Sequence, residues 1–267
     1  MKLRIATWNL KRPKKHETQR LDGLIQWMKA VNADVWIVTE ASSFVSPGEE
    51  FDSVATDDIQ GEIEYAEGEN RTTIWSRKGK LKTIPCEDPE TTVCAAIDSP
   101  VGPILFYGTI IPYHAAGGRW PYRVGGENFI GRKQWELHYK AIDYHADMIS
   151  QLRLRHPGYH FCFGGDLNQS RDGRKWPWNR EWYGTHQGRE KLSALLATNG
   201  LQCVTKDDFF ATGQLTSGST VDHICLDNEL TKLVTHVEPW EAGNSDSGKV
   251  LTDHSGIWVE LEAASAS

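Results

Sequence analysis

One stretch of this sequence decides the fold: Tyr159-His160-Phe161-Cys162-Phe163-Gly164-Gly165-Asp166-Leu167-Asn168-Gln169-Ser170. Its aromatic start is typical of a buried strand, and two glycines lead directly into a carboxylate and an amide two residues apart. Because side chains alternate between the faces of a strand, Asp166 and Asn168 should project to the same side. The stretch predicts a central strand with an acceptor and a donor at its end. An ordinary Gly-Asp-Leu-Asn turn is the alternative that these residues alone leave open.

The composition indicates a globular protein with a sizeable core. The chain has 267 residues, 39% of them hydrophobic, and 11 tryptophans. It has no apolar tract of about 18 residues, so we expect no membrane span. The N terminus enters a strand-like run directly and gives no sign of a signal peptide. Five cysteines without CxxC spacing favour free thiols in a reducing compartment. We therefore expect a cytoplasmic protein and a monomer.

Negative charge is concentrated in one segment. The net charge is −7, from 36 acidic and 29 basic residues. Residues 41–70 hold nine of the acidic residues and no basic one, which leaves 27 acidic against 29 basic residues elsewhere. This segment predicts an irregular, solvated acidic loop. The near-balance elsewhere is compatible with an electropositive site.

The chain begins with a strand, a helix and a second strand. Residues 3–8 and 34–39 are strand-like runs. Between them, apolar residues have helical spacing at Leu21, Leu24, Ile25, Met28 and Val31. This order predicts a parallel βαβ connection, and its polar strand ends, Asn9 and Glu40, would then lie at the same sheet edge.

Strand-like and helical patterns continue to the C terminus. Short runs that predict an antiparallel meander lie at 71–77, 80–84, 91–98 and 103–111. A Gly- and Arg-rich loop then leads to a helix with an apolar face at Trp135, Tyr139, Ile142, Ala146, Ile149 and Leu152. Beyond the central strand come a short helix and strand-like runs at 201–204, 220–226, 232–240 and 255–261. We expect one domain over 1–262, built from two packed mixed sheets with helices outside, and a disordered tail over 263–267.

Polar residues suited to phosphate chemistry lie at the ends of these apolar runs. They are Asn9, Glu40, His114, Asp166, Asn168, Asp222, Asp253 and His254. Hydrolysis of a phosphate ester needs a hard cation on oxygen ligands, a general base for water, and donors for the charge that builds on phosphoryl oxygens. This set of side chains can supply all three.

In these motifs the chain resembles the endonuclease/exonuclease/phosphatase superfamily, the metal-dependent phosphoesterases related to pancreatic deoxyribonuclease and the apurinic-site endonucleases. The matching motifs are Thr7-Trp8-Asn9, Thr39-Glu40, Gly165-Asp166-Leu167-Asn168, Val221-Asp222-His223-Ile224 and Thr252-Asp253-His254-Ser255-Gly256. Each motif is weak alone, but together they span residues 3–261 in order. The resemblance implies an α/β (α+β) fold, a four-layered sandwich of two mixed β-sheets flanked by helices.

The resemblance also implies a metal site. By position in the motifs, Glu40 would be the main ligand of Mg²⁺ or Mn²⁺. Asn9 would support it, with Asp253 as a further ligand. The implied activity is that of a phosphodiesterase that uses activated water.

Catalytic roles follow from the same resemblance. Asp166 would orient or deprotonate the attacking water, and Asn168 would hold a phosphoryl oxygen. His254, oriented by Asp222, would stabilise or protonate the transition state. The His–Asp pairing is also sound on physical grounds, since a carboxylate on one ring nitrogen fixes the tautomer and raises the basicity of the other.

The sequence departs from the family pattern at one position. The strand over 104–111 commonly carries a Tyr or His that contacts the phosphate, but Ile110 occupies that place here. Tyr113 or His114 could reach the same space from the following turn, and we assign His114 to the catalytic set. The alternative is that His114 is a polar turn residue.

A loop of basic and aromatic residues follows the central strand. We predict that it binds substrate through Arg171, Arg174, Lys175, Trp176 and Trp178. Such a mixture suits nucleic acid, because rings stack on bases and basic groups meet phosphates. A packed aromatic cluster beneath the loop is the alternative. We therefore predict a nuclease acting on DNA or RNA. A phosphoesterase for a small or lipid substrate, favoured by the net charge, and a non-catalytic binding module are the competing hypotheses.

Overall fold

The structure, a computed structural model, describes residues 1–56, 67–174, 181–216, 218–243 and 250–263. Its strands are β1 (Lys2–Asn9), β2 (Val35–Ser42), β3 (Phe51–Ala55), β4 (Glu69–Arg77), β5 (Leu81–Ile84), β6 (Thr92–Ser99), β7 (Gly102–Ile110), β8 (Tyr122–Val124), β9 (Glu127–Phe129), β10 (His160–Asp166), β11 (Leu201–Cys203), β12 (Asp222–Asp227), β13 (Val234–Trp240) and β14 (Gly256–Glu262). Its helices are α1 (Thr18–Val31), α2 (Glu136–Arg155), α3 (His186–Thr198) and α4 (Asn228–Thr231).

These strands form two six-stranded sheets and one small hairpin. The first sheet has the order β13-β14-β1-β2-β4-β3, and the second has the order β11-β12-β10-β7-β6-β5. Strands β1 and β2 are parallel, as are β7 and β10, whereas the other pairs are antiparallel. Both sheets are therefore mixed, as the sequence predicted.

Three apolar clusters lie between the layers. The inner cluster joins the facing sides of the two sheets and includes Ile5, Ile37, Phe106 and Ile224. A second cluster packs α1 on the outer side of the first sheet, and a third packs α2 and α3 on the second sheet. Burial of these apolar surfaces is the main favourable term in folding. The predicted four-layered sandwich is confirmed.

The acidic segment contains more structure than the sequence predicted. We expected an irregular loop over 41–70, but β2 continues to Ser42, β3 spans Phe51–Ala55 and β4 begins at Glu69. Strand β3 lies at an edge of the first sheet and has exposed side chains at its second and third positions, so its apolar pattern is short and weak. Residues 57–66 lie outside the described part of the chain, as do residues 264–267 of the predicted tail.

A hairpin interrupts the Gly- and Arg-rich loop before α2. Strands β8 and β9 pair through Tyr122 and Phe129, an element that the sequence analysis did not predict. Each strand has only three residues, which is too few for a recognisable alternation. Helix α2 begins at Glu136, because Trp135 adopts a left-handed conformation at its N-cap. Among the described residues, no helix has the length and apolar character required to cross a bilayer.

Glycine at position 165 permits the tight packing of β10. Its φ is +124°, and a Cβ atom there would lie 2.0 Å from the carbonyl oxygen of Thr109 on β7. Any other residue would clash with backbone that cannot move away without breaking the sheet. The glycines of the central stretch thus hold β10 against its neighbour, and Asp166 follows at the end of the strand.

Candidate active site

The predicted site residues meet at one edge of the two sheets. Asn9 ends β1 and Asp166 ends β10, while Asp222 begins the antiparallel strand β12 directly opposite Asp166. His254 lies two residues before β14. The Nδ2 atom of Asn9 donates to Oδ2 of Asp166 at 3.0 Å, so a side chain of one sheet contacts a side chain of the other. Glu40 lies at the same edge, near the end of β2.

Asp166 is enclosed by amide donors. Asn168 donates its backbone N–H to Oδ1 of Asp166 at 2.9 Å and its Nδ2 to Oδ2 at 3.0 Å. The same Nδ2 also donates to the carbonyl oxygen of Ile111 at 2.9 Å. The two hydrogens of the Asn168 amide therefore both have protein acceptors. Asn168 adopts a left-handed φ of 48°, which asparagine tolerates better than most residues.

Burial raises the pKa of Asp166 to about 7. The positive charge of His254 opposes this shift, whereas the carboxylates of Asp222 and Glu40 add to it. A carboxylate with a pKa near neutral pH is suited to accept a proton from water. The repulsion among the three carboxylates also means that a cation between them would be stabilising.

His254 and Asp222 form a close pair, as predicted. The Nδ1 atom of His254 lies 2.7 Å from Oδ2 of Asp222. Burial acts to lower the pKa of His254, but the charges of Asp222 and Asp166 outweigh it and raise this pKa to about 10. The imidazole is therefore protonated at neutral pH. The indole Nε1 of Trp8 donates to the carbonyl oxygen of His254 at 3.2 Å and fixes its backbone.

Several features at this edge fit a divalent cation. The Oδ1 atom of Asp222 is buried without a hydrogen-bond partner. Glu40 has a strained left-handed φ of 43°, a cost that proteins accept mainly at functional positions.

Two of the predicted metal ligands already form ion pairs with basic side chains. The Oε1 atom of Glu40 lies 3.2 Å from the guanidinium of Arg12. The third predicted ligand, Asp253, lies at the rim with its carboxylate 2.8 Å from Nζ of Lys11.

Asp166, Asp222 and His254 have ligand atoms within 4.8 Å of one another, which makes them a second candidate for a metal group. However, His254 could ligate an ion only after losing a proton, and its pKa of about 10 opposes that loss. The acid–base role of that trio, and the placing of a cation at Glu40 and Asn9, both stay predictions.

His114 lies beside the cleft in a cluster of aromatic rings. Its Nδ1 is 3.2 Å from the hydroxyl of Tyr183, and its ring packs against Tyr113, Trp135 and Tyr183. Tyr183 itself lines a cleft of about 340 Å³ together with Asn168, Asp222 and His254. His114 thus reaches the site through Tyr183, and its catalytic role stays a prediction.

The predicted substrate-binding loop is only partly described. Lys175, Trp176 and Trp178 lie outside the described residues. Arg171 donates to the carbonyl oxygen of Arg189 and to Ser193 on α3. The guanidinium of Arg174 lies over the ring of Phe210, 4.5 Å from its centroid. Both arginines are thus held by protein groups, and their contact with substrate stays a prediction.

The sequence analysis missed one acidic residue at the site edge. Glu69 lies 3.3 Å from Nε of Arg12, so this arginine joins Glu69 to Glu40. Glu69 was assigned to the acidic loop, although it begins β4 next to the end of β2. Its position directly before the strand-like run at 71–77 was the signal that could have identified it.

The chain belongs to the Endonuclease/Exonuclease/phosphatase family, whose model matches residues 6–254. No curated protein sequence matches the chain significantly. The predicted family is therefore confirmed by the motifs, the fold and the family model together.

Solved structures of low sequence identity have the same fold. An AP endonuclease from Archaeoglobus fulgidus has a TM-score of 0.67 and 13% identity, covering 98% of this chain and 100% of that one. The 3'-5' exonuclease NExo from Neisseria meningitidis has a TM-score of 0.66 and 15% identity, with coverage of 98% and 100%. D. rerio TDP2 complexed with a single-strand DNA product has a TM-score of 0.62 and 15% identity, with coverage of 98% and 99%.

The pairing of His254 with Asp222 predicts a pH-dependent contribution to stability. Because the folded pKa is raised from 6.5 to about 10, the contribution is fully present below pH 6.5 and is lost as pH rises through 10. In metal-free protein, His254→Gln should lower the free energy of unfolding most below pH 6.5, and the difference should shrink towards pH 10. Urea denaturation in excess chelator measures this. If the difference in free energy of unfolding between wild type and His254→Gln did not depend on pH, the pairing would be contradicted. His186→Gln, at an exposed position, serves as the control.

Proposed function

We propose that this protein is a divalent-metal-dependent phosphodiesterase that hydrolyses nucleic acid, DNA or RNA, by means of an activated water. The observation that carries the proposal is the meeting of Glu40, Asp166 and Asp222 with the protonated His254 at one sheet edge. Such a set combines a base for water, a proton donor and oxygen ligands for a cation. Membership of a family of phosphoesterases supports the same reaction.

In the proposed reaction, Asp166 accepts a proton from the attacking water. The water oxygen bonds to phosphorus as the bond between phosphorus and the leaving oxygen breaks. His254 donates a proton to that leaving oxygen from Nε2, because Asp222 holds its Nδ1. Asn9 and Asn168 keep the carboxylate of Asp166 in position through their amide donors.

A divalent cation fits the donor set and would be held by Glu40 and Asn9, with Asp253 at the rim. When bound, it supplies positive charge to the phosphoryl oxygens. Activity assays with each ion distinguish Mg²⁺ from Mn²⁺.

A surface beside the cleft supports nucleic acid as the substrate. We call residues 113–133, which include β8 and β9, the arm. The arm exposes three large apolar side chains: Trp120 at 67%, Ile130 at 63% and Tyr113 at 40%. The guanidinium of Arg119 lies over the ring of Trp120, 5.3 Å from its centroid. Exposed rings combined with guanidinium groups suit bases and phosphates.

The arm is continuous with the cleft. Its first residues contain His114, whose ring packs on the cleft residue Tyr183. Backbone hydrogen bonds from Gly131 to Gly118 and from Arg132 to Gly117 then close the base of the arm. A strand of nucleic acid that leaves the cleft past Tyr183 would meet His114 and then Tyr113, whose ring packs on His114, and Trp120 is exposed on the same arm. Two of the similar structures contain DNA, namely TDP2 with a single-strand DNA product and NExo with a product DNA hairpin, and they support this substrate class.

The proposal is tested on four substrates. The purified protein is incubated with Mg²⁺ or Mn²⁺ and single-stranded DNA, duplex DNA, RNA or a bis-aryl phosphate. We expect hydrolysis of at least one nucleic acid and none in excess chelator. Full activity in excess chelator would show that the reaction does not require a divalent metal. Cleavage of the bis-aryl phosphate alone would favour the small phosphate ester, which the net charge of −7 suggests.

We expect Glu40→Gln to raise the Mg²⁺ concentration for half-maximal activity by about 10-fold or more, since ligand sets lose at least this much when their support is weakened. The thermal midpoint of the metal-free protein should change little. Activity against a metal titration and calorimetric Mn²⁺ binding measure the two effects. Glu229→Gln, on α4, is the matched control. An unchanged metal requirement in Glu40→Gln would show that the cation lies elsewhere.

For the arm, we expect Trp120→Ala to weaken the binding of single-stranded nucleic acid by roughly 1–3 kcal/mol, the contribution of one stacked base. Fluorescence anisotropy in an Asp166→Asn background measures affinity without hydrolysis. Hydrolysis of a bis-aryl phosphate should be unaffected by Trp120→Ala alone. Leu154→Ala, an exposed apolar residue of α2, is the control. Equal affinity of the Trp120 and Leu154 variants would exclude the arm as a binding surface.

A further inference from the structure

Negative charge builds on the phosphoryl oxygens during hydrolysis, and the site needs hydrogen-bond donors to stabilise it. Asn168 was predicted to supply one. However, its amide hydrogens are directed at Ile111 and Asp166, with distances of 2.9 and 3.0 Å. To donate to a substrate, Asn168 would have to give up one of these buried bonds.

The neighbouring strand β7 supplies no donor either. Its last residue, Ile110, pairs with Asp166 across the parallel ladder. The side chain is buried and apolar, so it contributes surface without any polar group. Other elements that border the cleft therefore have to be considered as the source of a donor.

Tyr183 fulfils this requirement. It lines the cleft beside Asn168, Asp222 and His254 and is half-buried. Its ring packs against His114 and Trp135, with centroids 6.2 and 5.7 Å away. A hydroxyl on a ring packed in this way has a fixed position, as a stabilising donor requires.

The backbone of Tyr183 is hydrogen-bonded to the end of the central stretch. Its carbonyl oxygen accepts from the backbone N–H and the Oγ of Ser170, each at 2.9 Å. The next residue, Gly184, has φ of +98°, and a Cβ atom there would lie 2.2 Å from the side chain of Gln169. Because residue 184 is glycine, its backbone can pack closely against the side chain of Gln169. This packing keeps Tyr183 close to Asn168.

The hydroxyl of Tyr183 stays protonated at neutral pH. Burial, and then the charge of Asp166, raise the pKa of Tyr183 to about 12. Tyr183 thus retains its hydrogen at the pH at which a hydrogen bond to a phosphate oxygen is needed.

We infer that Tyr183 is a catalytic residue whose hydroxyl donates a hydrogen bond to a nonbridging oxygen of the scissile phosphate. His114 is a positioning residue: Nδ1 lies 3.2 Å from the phenolic oxygen, and in the tautomer that carries its hydrogen on Nδ1 it donates to that oxygen and leaves the hydroxyl hydrogen for the phosphate. The inference rests on the proposed function. Tyr183 transfers no proton, since water still loses its proton to Asp166 and the leaving oxygen still receives one from His254.

The first test is Tyr183→Phe, which removes one hydroxyl. On the best substrate, kcat should fall by about 10²-fold, the effect of losing one donor to developing charge. KM and the thermal midpoint should change little. Tyr139→Phe is the matched control, because that hydroxyl bonds Thr185 Oγ1 at 2.8 Å and does not line the cleft. Near-wild-type kcat in Tyr183→Phe would overturn the inference and leave the proposed function intact, whereas an inactive wild type would overturn both.

The second test separates the roles of His114 and Tyr183. His114→Ala should lower kcat in the wild type and have no further effect in the Tyr183→Phe background, because a positioning residue acts only through its partner. If the two losses multiply, His114 contacts the substrate itself and the positioning role is wrong. Rescue of activity by His114→Gln, which can still donate to the phenolic oxygen, would support positioning.

Discussion

The hydrogen bond between Asn9 and Asp166 joins side chains of different sheets, and the geometry of the site depends on it. Its 3.0 Å length is maintained by the apolar cluster that packs the sheets face to face. Folded cores are close-packed, so a shift of one sheet on the other is resisted by the whole interface. The carboxylate of Asp166 is thus positioned by the core of the protein as well as by its immediate neighbours.

Electrostatic repulsion accompanies this arrangement. Asp166, Asp222 and Glu40 are gathered at one edge, although burial and the neighbouring carboxylates both disfavour the ionised form of Asp166. His254 compensates in part, and Arg12 and Lys11 bring positive charge to Glu40 and Asp253. The acidic character of the chain is therefore matched locally by a short basic segment after β1. Sites that concentrate charge in this way give up stability for reactivity.

Much of this arrangement could be predicted from sequence, because local patterns determine it. The central stretch indicated a buried strand and the paired placement of Asp166 and Asn168, and the resemblance to the family implied that Asp222 is the partner of His254. Strands of few residues, and contacts between residues far apart in sequence, could not be predicted in this way. The edge strand β3 and the hairpin of the arm carry weak alternation, and the contact of Arg12 with Glu40 and Glu69 depends on sheet order. The bond of Asn168 to Ile111 is likewise a product of tertiary packing.

The hydrogen-bonded contact between Ser170 and Tyr183 determines where the sequence of the protein can vary in length. It joins two points that are 13 positions apart in sequence, so the two ends of the intervening segment are held together. The entropy cost of lengthening a segment whose ends are held together grows only slowly with its length. Insertions or exchanges between the two anchors therefore leave the strand end and the tyrosine in place. The segment is a natural exchange point, at which new surface can be acquired without moving Ser170 or Tyr183.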